Sequence, residues 1–415
     1  MNLSNFLFKY KKFLLIAGFI AFILGVGYLI YFVFFYTPPR VPSEKEPSPT
    51  TTPAQFPKSE EEEKLSTTTP PEKIPEAEQK EEEEKIDEVA RGGPTKTSKL
   101  NDDPALKPDL SPDGSEVRYY NQKNGKFYRI NEEGEAELLS DRVFHEVEKI
   151  NWSPAEDKAI LEYPDGSNII YDFESEKQIS LPKHWQDFDF SSNGKEIVAE
   201  SIGMDPDNRW LIVTDNKGGK RKAIEKIGEY DDTVYPEWSP NEQIIAMYTK
   251  GKDFNRQEVF FLGKNKENFS STIVEGRDFR PKWSKKGDKL LYSVYSSNND
   301  MKPKLWTVDA EPGKIGQNRK SLNINTWSDK CAFASNEEIY CGVPENLEEG
   351  SGLFPELAAQ TQDKLYKINT QTGQKELIAV PDKEINISDL NVTPQKDKLF
   401  FKDNFSGNIH QIDLK

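Results

Sequence analysis

Pro236-Glu237-Trp238-Ser239-Pro240-Asn241-Glu242, followed at once by Ile244-Ile245-Ala246-Met247-Tyr248, is the stretch whose reading decides the fold. A large aromatic, a Ser-Pro-Asn turn and an apolar β-favouring run describe two antiparallel strands joined tightly. Pro presets φ for the first central turn position, Asn or Asp tolerates the next, and Gly where present supplies a left-handed residue. The phrase returns as Asn151-Trp152-Ser153-Pro154, Pro281-Lys282-Trp283-Ser284 and Leu110-Ser111-Pro112-Asp113-Gly114.

With the serine as a marker, copies fall at Ser111, Ser153, Ser191, Ser239, Ser284, Ala334 and Thr393, in steps of 42, 38, 48, 45, 50 and 59 residues. That period is the one expected of a four-stranded blade. A third strand follows each hairpin, as in Phe127–Ile130, Ile169–Tyr171, Val259–Leu262 and Leu305–Val308, and a weaker fourth comes after it, as in Gln178–Leu181 and Thr272–Val274. Seven units result, and the seventh runs out after its third strand at Ile409–Ile412. A ring that leaves no sheet edge free must take the missing strand from elsewhere, and Thr95–Leu100 is the expected donor. The sequence therefore predicts an all-β, seven-bladed β-propeller of four-stranded antiparallel blades.

The Trp-Ser-Pro-Asp-Gly type phrase with its later Ile-Tyr or Leu-Trp strand resembles the propeller repeat of the TolB-like, WD-repeat-like family. The likeness covers roughly residues 95 to 415 and is one of repeat signature. TolB-type proteins carry a small α/β domain ahead of six blades, whereas this chain has an apolar segment, a linker and seven units. What the resemblance implies is the propeller, with no partner carried over.

Ahead of the ring, residues 13–36 are uncharged and mostly apolar, 24 positions in all. At about 1.5 Å rise per residue they span a hydrocarbon core of about 30 Å with some tilt. Lys9, Lys11 and Lys12 precede this segment, and the flank beyond it mixes Arg40 and Lys45 with Glu44 and Glu46, which predicts a single-pass signal-anchor with residues 1–12 in the cytoplasm and the ring outside. A cleaved signal peptide shares this charge order, but the run exceeds an h-region and Tyr36-Thr37-Pro38-Pro39 offers no small-residue cleavage site. Residues 37–94, rich in Pro, Thr, Glu and Lys, hold too little apolar surface to fold alone and read as a disordered linker. Residues 95–415 are the ring.

Charge narrows the partners. Residues 101–415 carry 42 basic and 56 acidic side chains, a net of −14. Phosphate backbones and anionic headgroups need basic clusters, so nucleic acid is excluded as a partner. The 59-residue step comes from an insertion, Pro344 to Gln362, and its Leu353, Phe354 and Leu357 are the expected binding residues, since loops on a rigid scaffold carry recognition.

Chemistry-bearing residues are few. Cys331 and Cys341 fall on the two strands of one hairpin, nearly opposite each other, where Cα separations of about 4.5–5.5 Å suit a disulfide; two buried thiols are the alternative. The chain has 3 histidines and no His-Glu-x-x-His, Gly-x-Ser-x-Gly, Walker or dinucleotide motif. The loop clusters Asp205-Pro206-Asp207-Asn208, Asp231-Asp232 and Asn298-Asn299-Asp300 lack the alternate ligand spacing of a calcium loop. No catalytic, cofactor-binding or metal-ligating residue is assigned. Trp152, Phe190, Trp238, Trp283 and Phe333 recur at one repeat position and are expected to pack between blades.

The leading expectation is a non-enzymatic scaffold binding an envelope protein or peptide. A wall-polymer or carbohydrate binder is one alternative and predicts solvent-facing aromatics among Trp185, Trp210, Trp306 and Trp327. A propeller enzyme of lyase or cyclase type is the other and predicts titratable side chains converging in one ring-end pocket.

Overall fold

In each unit the second strand is a nearly unbroken apolar run, such as Lys158–Glu162 (KAILE) and Lys289–Tyr295 (KLLYSVY), whereas the fourth is mostly polar, such as Lys222–Lys226 (KAIEK). A strand flanked within its sheet and covered on both faces by neighbouring sheets must be apolar throughout, while the outermost strand meets water. That gradient is what stacking blades around an axis produces. The computed structural model describes residues 22–28, 85–267 and 269–415, and in it residues 85–415 form seven sheets arranged as a ring. Blade 1 consists of Ala105–Leu110, Val117–Asn121, Lys126–Ile130 and Ala136–Ser140, and the other six repeat the order.

The repeated serine explains itself in the fold. In blade 4 the buried Ser239 donates its hydroxyl to Asn241 Oδ1 at 2.7 Å and accepts from the Ile244 amide at 2.9 Å, so one side chain closes the turn and starts the next strand. Ser111, Ser191 and Ser284 accept in the same way from Glu116, Glu196 and Lys289, and Thr393 from Lys398. Blade 6 has Ala334 there and closes on the main-chain bond Ala334 N to Glu338 O. The repeated aromatics do pack between blades: Trp152, Phe190, Trp238 and Phe333 are buried, and Trp152 and Trp283 donate their indole N–H to Lys107 O and Glu237 O of the preceding blade.

Closure uses the expected donor and more. Ser98–Lys99 pairs antiparallel with Ile409–Asp413 and completes blade 7. Just before it, Pro94–Thr95 pairs parallel with Lys375–Pro381 and gives blade 6 a fifth strand. Asp87 and Val89 bridge to Thr95 and Asp413, so residues ahead of position 95 also belong to the head. Linker residues 85–94 are thus part of the ring because main-chain groups of blades 6 and 7 are open to receive them.

Cys331 and Cys341 lie directly opposite in register, 4.1 Å apart at Cα, and are joined by a disulfide. Of the apolar segment 13–36, only residues 22–28 are described; they are helical, and among the described residues no helix is long and apolar enough to cross a membrane. The remainder of that expected span, the tail 1–12 and linker residues 37–84 lie outside the described residues.

Candidate ligand site at the loop end of the ring

Residues in or next to the first strand of every blade line one axial channel, and the first strands of blades 6, 7, 1, 2 and 3 neighbour one another in turn. Antiparallel blades place two sets of connections at one ring end, those joining second to third strands and those entering each first strand. We call this the loop end; the Ser-Pro turns mark the opposite, turn end. The 345–362 insertion, joining the second and third strands of blade 6, belongs to the loop end.

Four first strands carry the same irregularity. Against their second strands, Leu106–Asp109 in blade 1, Gln186–Asp189 in blade 3, Arg277–Arg280 in blade 5 and Ser388–Asn391 in blade 7 each spend one residue more than their partners. Within each bulge a charged residue sits at left-handed φ: Lys107 at 49°, Asp187 at 49°, Asp278 at 54° and Asp389 at 46°. Such a conformation costs on the order of 1–3 kcal/mol for a non-glycine residue, and a bulge re-aims the side chain it carries. Lys107, Asp187 and Asp389 all line hollows at the axis. Charge is thereby directed inward from blades 1, 3 and 7, of which 7 and 1 are neighbours in the ring.

Between blades 2, 3 and 4 the loop end holds a hollow of about 570 Å³, continuous in its lining with an axial channel of about 650 Å³ through Lys107, Phe188, Glu237 and Asp389. Asp187 pairs with Lys149 at 2.6 Å, and its amide donates to Glu162 Oε2 at 3.3 Å. Arg209 holds Asp231 with one nitrogen at 2.8 and 2.9 Å to its two oxygens. Burial raises the Glu162 carboxyl to about 7, Lys149 opposing and Asp187 adding to the rise. Glu200, on the second strand of blade 3, is 1% exposed; burial lifts it to about 8, with Asp187 contributing next. Deeper in the channel, burial lifts Asp189 to about 7 although the Trp238 and Phe190 amides donate to it at 2.6 and 2.9 Å. Burial also pushes Glu237 well above the carboxylate range, with Asp189 beside it, and pushes Lys282 down.

A second hollow of about 910 Å³ lies between blades 5, 6 and 7, lined by Arg280, Trp327, Lys330, Ala358, Ile387 and Phe405 among others. The insertion forms one wall and is pinned from both sides. Gly350 and Gly352 donate to Asp300 O and Met301 O of blade 5 at 2.9 and 2.7 Å; a Cβ on Gly352 would press against Tyr295 and the Met301 carbonyl. On the other side Asn386 donates to Ala358 O and Thr361 O at 3.1 and 2.8 Å, and it accepts from Lys330, which pairs with the buried Asp363 at 2.6 Å. Leu353, Phe354 and Leu357 are 46, 52 and 40% exposed and stand on this turn outside the hollow.

The remaining sequence expectations fall as follows. Trp185 and Trp327 are buried and Trp210 and Trp306 half-buried, so none of the four offers an open stacking face. Asp205 caps a short 3-10 turn by accepting from Asp207 N, and Asp207 pairs with Lys226. Among the described residues no three His, Cys, Asp or Glu side chains come close enough to share a metal ion. Sequence reading missed the bulge residues and Glu200. The signal for the former was present as an in-phase charged residue four positions before the turn marker, at Lys107, Asp187 and Asp389.

No family model and no curated protein matches the chain. Solved structures do match it as folds. An oligogalacturonate lyase in complex with manganese superposes with TM-score 0.53 at 12% identity, over 77% of this chain and 93% of that one. The Cps50 (Swd1) β-propeller domain of Myceliophteria thermophila gives TM-score 0.53 at 12% identity, over 77% and 100%. At such identities these likenesses establish the shared fold, and this chain is accordingly a β-propeller whose chemistry rests on its own residues.

Proposed function

We propose that the chain is a single-pass envelope protein whose ring, outside the cytoplasmic membrane, holds a protein or peptide segment at its loop end. The observation that carries this reading is the pinned insertion. Leu353, Phe354 and Leu357 are exposed on a turn already fixed by blades 5 and 7, so a partner does not have to order the loop on docking. Beside them lies the hollow of about 910 Å³, whose mix of Phe405, Ile387 and Ala358 with Arg280 and Lys330 suits alternating side chains of an extended segment. Residues 94–99 run along the outer strands of blades 6 and 7, away from the axis, as suits a tether serving a ring used at its ends.

The test places a photo-crosslinking residue at Phe354, and separately at Glu174 on the turn end, in the full-length chain in its native membrane. A discrete protein adduct from position 354 alone is expected, and the identified partner, once purified, should bind at least tenfold more weakly to a Phe354→Ser/Leu357→Ser chain. Equal adducts from both positions, or none, reject the reading.

A second reading has its own observation. Glu162 and Asp189, each raised to about 7 in the linings of connected hollows, are what general acid–base chemistry requires, as in a lyase. Formation of unsaturated product from oligogalacturonate, abolished by Glu162→Gln, supports it; an inert chain that still binds its partner removes it.

A further inference from the structure

Where blade 6 meets blade 7, an amine, a carboxyl and a carboxamide come together out of water. Lys330 ends the 3-10 turn Ser328–Lys330 ahead of blade 6, Asp363 opens the third strand of that blade, and Asn386 stands just ahead of the first strand of blade 7. They are 8, 2 and 3% exposed. Lys330 Nζ donates to Asp363 Oδ2 at 2.6 Å and to Asn386 Oδ1 at 2.9 Å. The surroundings fix both partners. Asn386 Nδ2 donates to Ala358 O and Thr361 O, which turns its oxygen toward Lys330, and Asn404 Nδ2 donates to that oxygen as well, at 3.0 Å. Two donors on one carbonyl oxygen draw electrons from its carbon and await negative charge there. Asp363 Oδ2 also accepts from the Ile387 amide at 2.6 Å, whereas Asp363 Oδ1 is buried with no hydrogen-bond partner among the described residues. A buried ion pair kept for stability needs its remaining lone pairs satisfied. Here one oxygen beside the amine is left open, a place where a proton can be held.

We propose that Lys330 and Asn386 join in an intramolecular isopeptide bond, with Asp363 as the acid–base group. No oxidant, reductant or cofactor is needed. Asp363 takes a proton from the Lys330 ammonium and leaves a neutral amine, a transfer that burial favours by raising the proton affinity of Asp363 against the pull of Lys330. The amine lone pair attacks Asn386 Cγ, and the oxyanion that forms keeps the Asn404 donor. Asp363 gives its proton to Nδ2 and receives one from the attacking nitrogen. The Cγ–Nδ2 bond then breaks, and ammonia departs into the hollow of about 910 Å³ that Lys330 and Asn386 both line. The products are a secondary amide, a protonated Asp363 and free ammonia, so two charges have left the interior. Because the reacting groups are already held in place, the step avoids the entropy of a bimolecular encounter. The bond closes a loop across a sequence separation of 56 and ties blade 6 to blade 7, the two blades that receive the N-terminal latch. Gly350 and Gly352 still hold the insertion on blade 5 after Nδ2, the donor to Ala358 O and Thr361 O, has left. The crosslink is independent of what the loop end binds.

The test is mass spectrometry of the full-length chain, purified in a non-ionic detergent, then denatured and with its disulfide reduced. The reference is a Lys330→Arg chain prepared alongside, which keeps a cation opposite Asp363 but has no amine to react. Once the substitution itself is allowed for, the parent chain should be lighter than this reference by the mass of one ammonia. Trypsin should fail to cut after Lys330 and should release a branched peptide that joins the stretch holding Lys330 to the stretch holding Asn386. Asp363→Asn, which keeps the shape of the side chain but cannot relay a proton, should slow bond formation by roughly a hundredfold or more and be recovered mainly unlinked. If that variant does not fold, the parent and the Lys330→Arg reference decide alone. A parent chain at its full sequence mass, cut normally after Lys330, overturns the proposal. So does a loss of water in place of ammonia, which would put the bond on Asp363, and so does a branch at any other residue. An Asp363→Asn chain linked as fully as the parent overturns the acid–base role given to Asp363.

Discussion

At the residue scale, one hydroxyl explains why the repeat is written with serine. Ser239 is fully buried, and its oxygen is the acceptor for the amide that opens the next strand. Ser239→Ala leaves the Ile244 N–H without that partner, and the expected loss is about 1–2 kcal/mol in the free energy of urea unfolding of the full-length chain. Ala334 in blade 6 shows that the turn survives without the group, so the variant should fold. The bulge residues behave oppositely. Lys107 sits at φ 49° beside Asp389, so Lys107→Gly and Lys107→Ala lose the same cation and only the glycine is free of the strain; the Gly variant should be the more stable of the two by roughly 0.5–1 kcal/mol. Equal stability of the two variants in the same assay would show that the left-handed position is not strained.

At the element scale, two devices hold the ring together where the repeat is weakest. The Cys331–Cys341 disulfide closes a short loop in the hairpin that lacks the serine, with a sequence separation of 10. Chain-entropy reasoning gives about 2.5–3 kcal/mol for such a loop, and Cys331→Ser/Cys341→Ser should lose that much in chemical denaturation. The other device is the N-terminal latch. Thr97 donates its amide to Asp382 Oδ1 at 2.9 Å, and Ile409 donates to Asn101 Oδ1 at 2.6 Å, so side chains as well as strand pairing tie residues 94–101 to blades 6 and 7. The donor strand was readable because the seventh unit lacked one. The fifth strand of blade 6 was not, because Pro94–Thr95 has no strand-like pattern and pairs through main-chain groups that sequence does not reveal.

At the scale of the whole molecule, the ring buries carboxyl groups at its loop end, and their raised proton affinity links stability to pH. A carboxyl whose folded value lies above its unfolded one adds stability that is complete below the unfolded value and is lost as pH rises through the folded one. Glu162, Asp189 and Glu200 should therefore make the ring less stable as pH rises from about 4.5 to about 8. Thermal unfolding of Glu200→Gln should fall less steeply over this interval than that of the parent chain; identical slopes would place the Glu200 carboxyl at its ordinary value.

The sequence by itself determined the architecture, because a hairpin phrase recurring every 38 to 59 residues is a one-dimensional fact, and each copy has only its neighbours on which to bury an apolar strand. It also placed the insertion and the cysteine pair, both of which are departures visible against a period. Only the tertiary structure decided where chemistry can happen. Lys107, Asp187 and Asp389 become a set through bulges that turn them to a common axis, and Glu200, in a strand that reads Glu-Ile-Val-Ala-Glu-Ser-Ile, becomes a buried acid with raised proton affinity because the surrounding blades cover it. Burial and convergence belong to residues far apart in the chain, so no local pattern carries them.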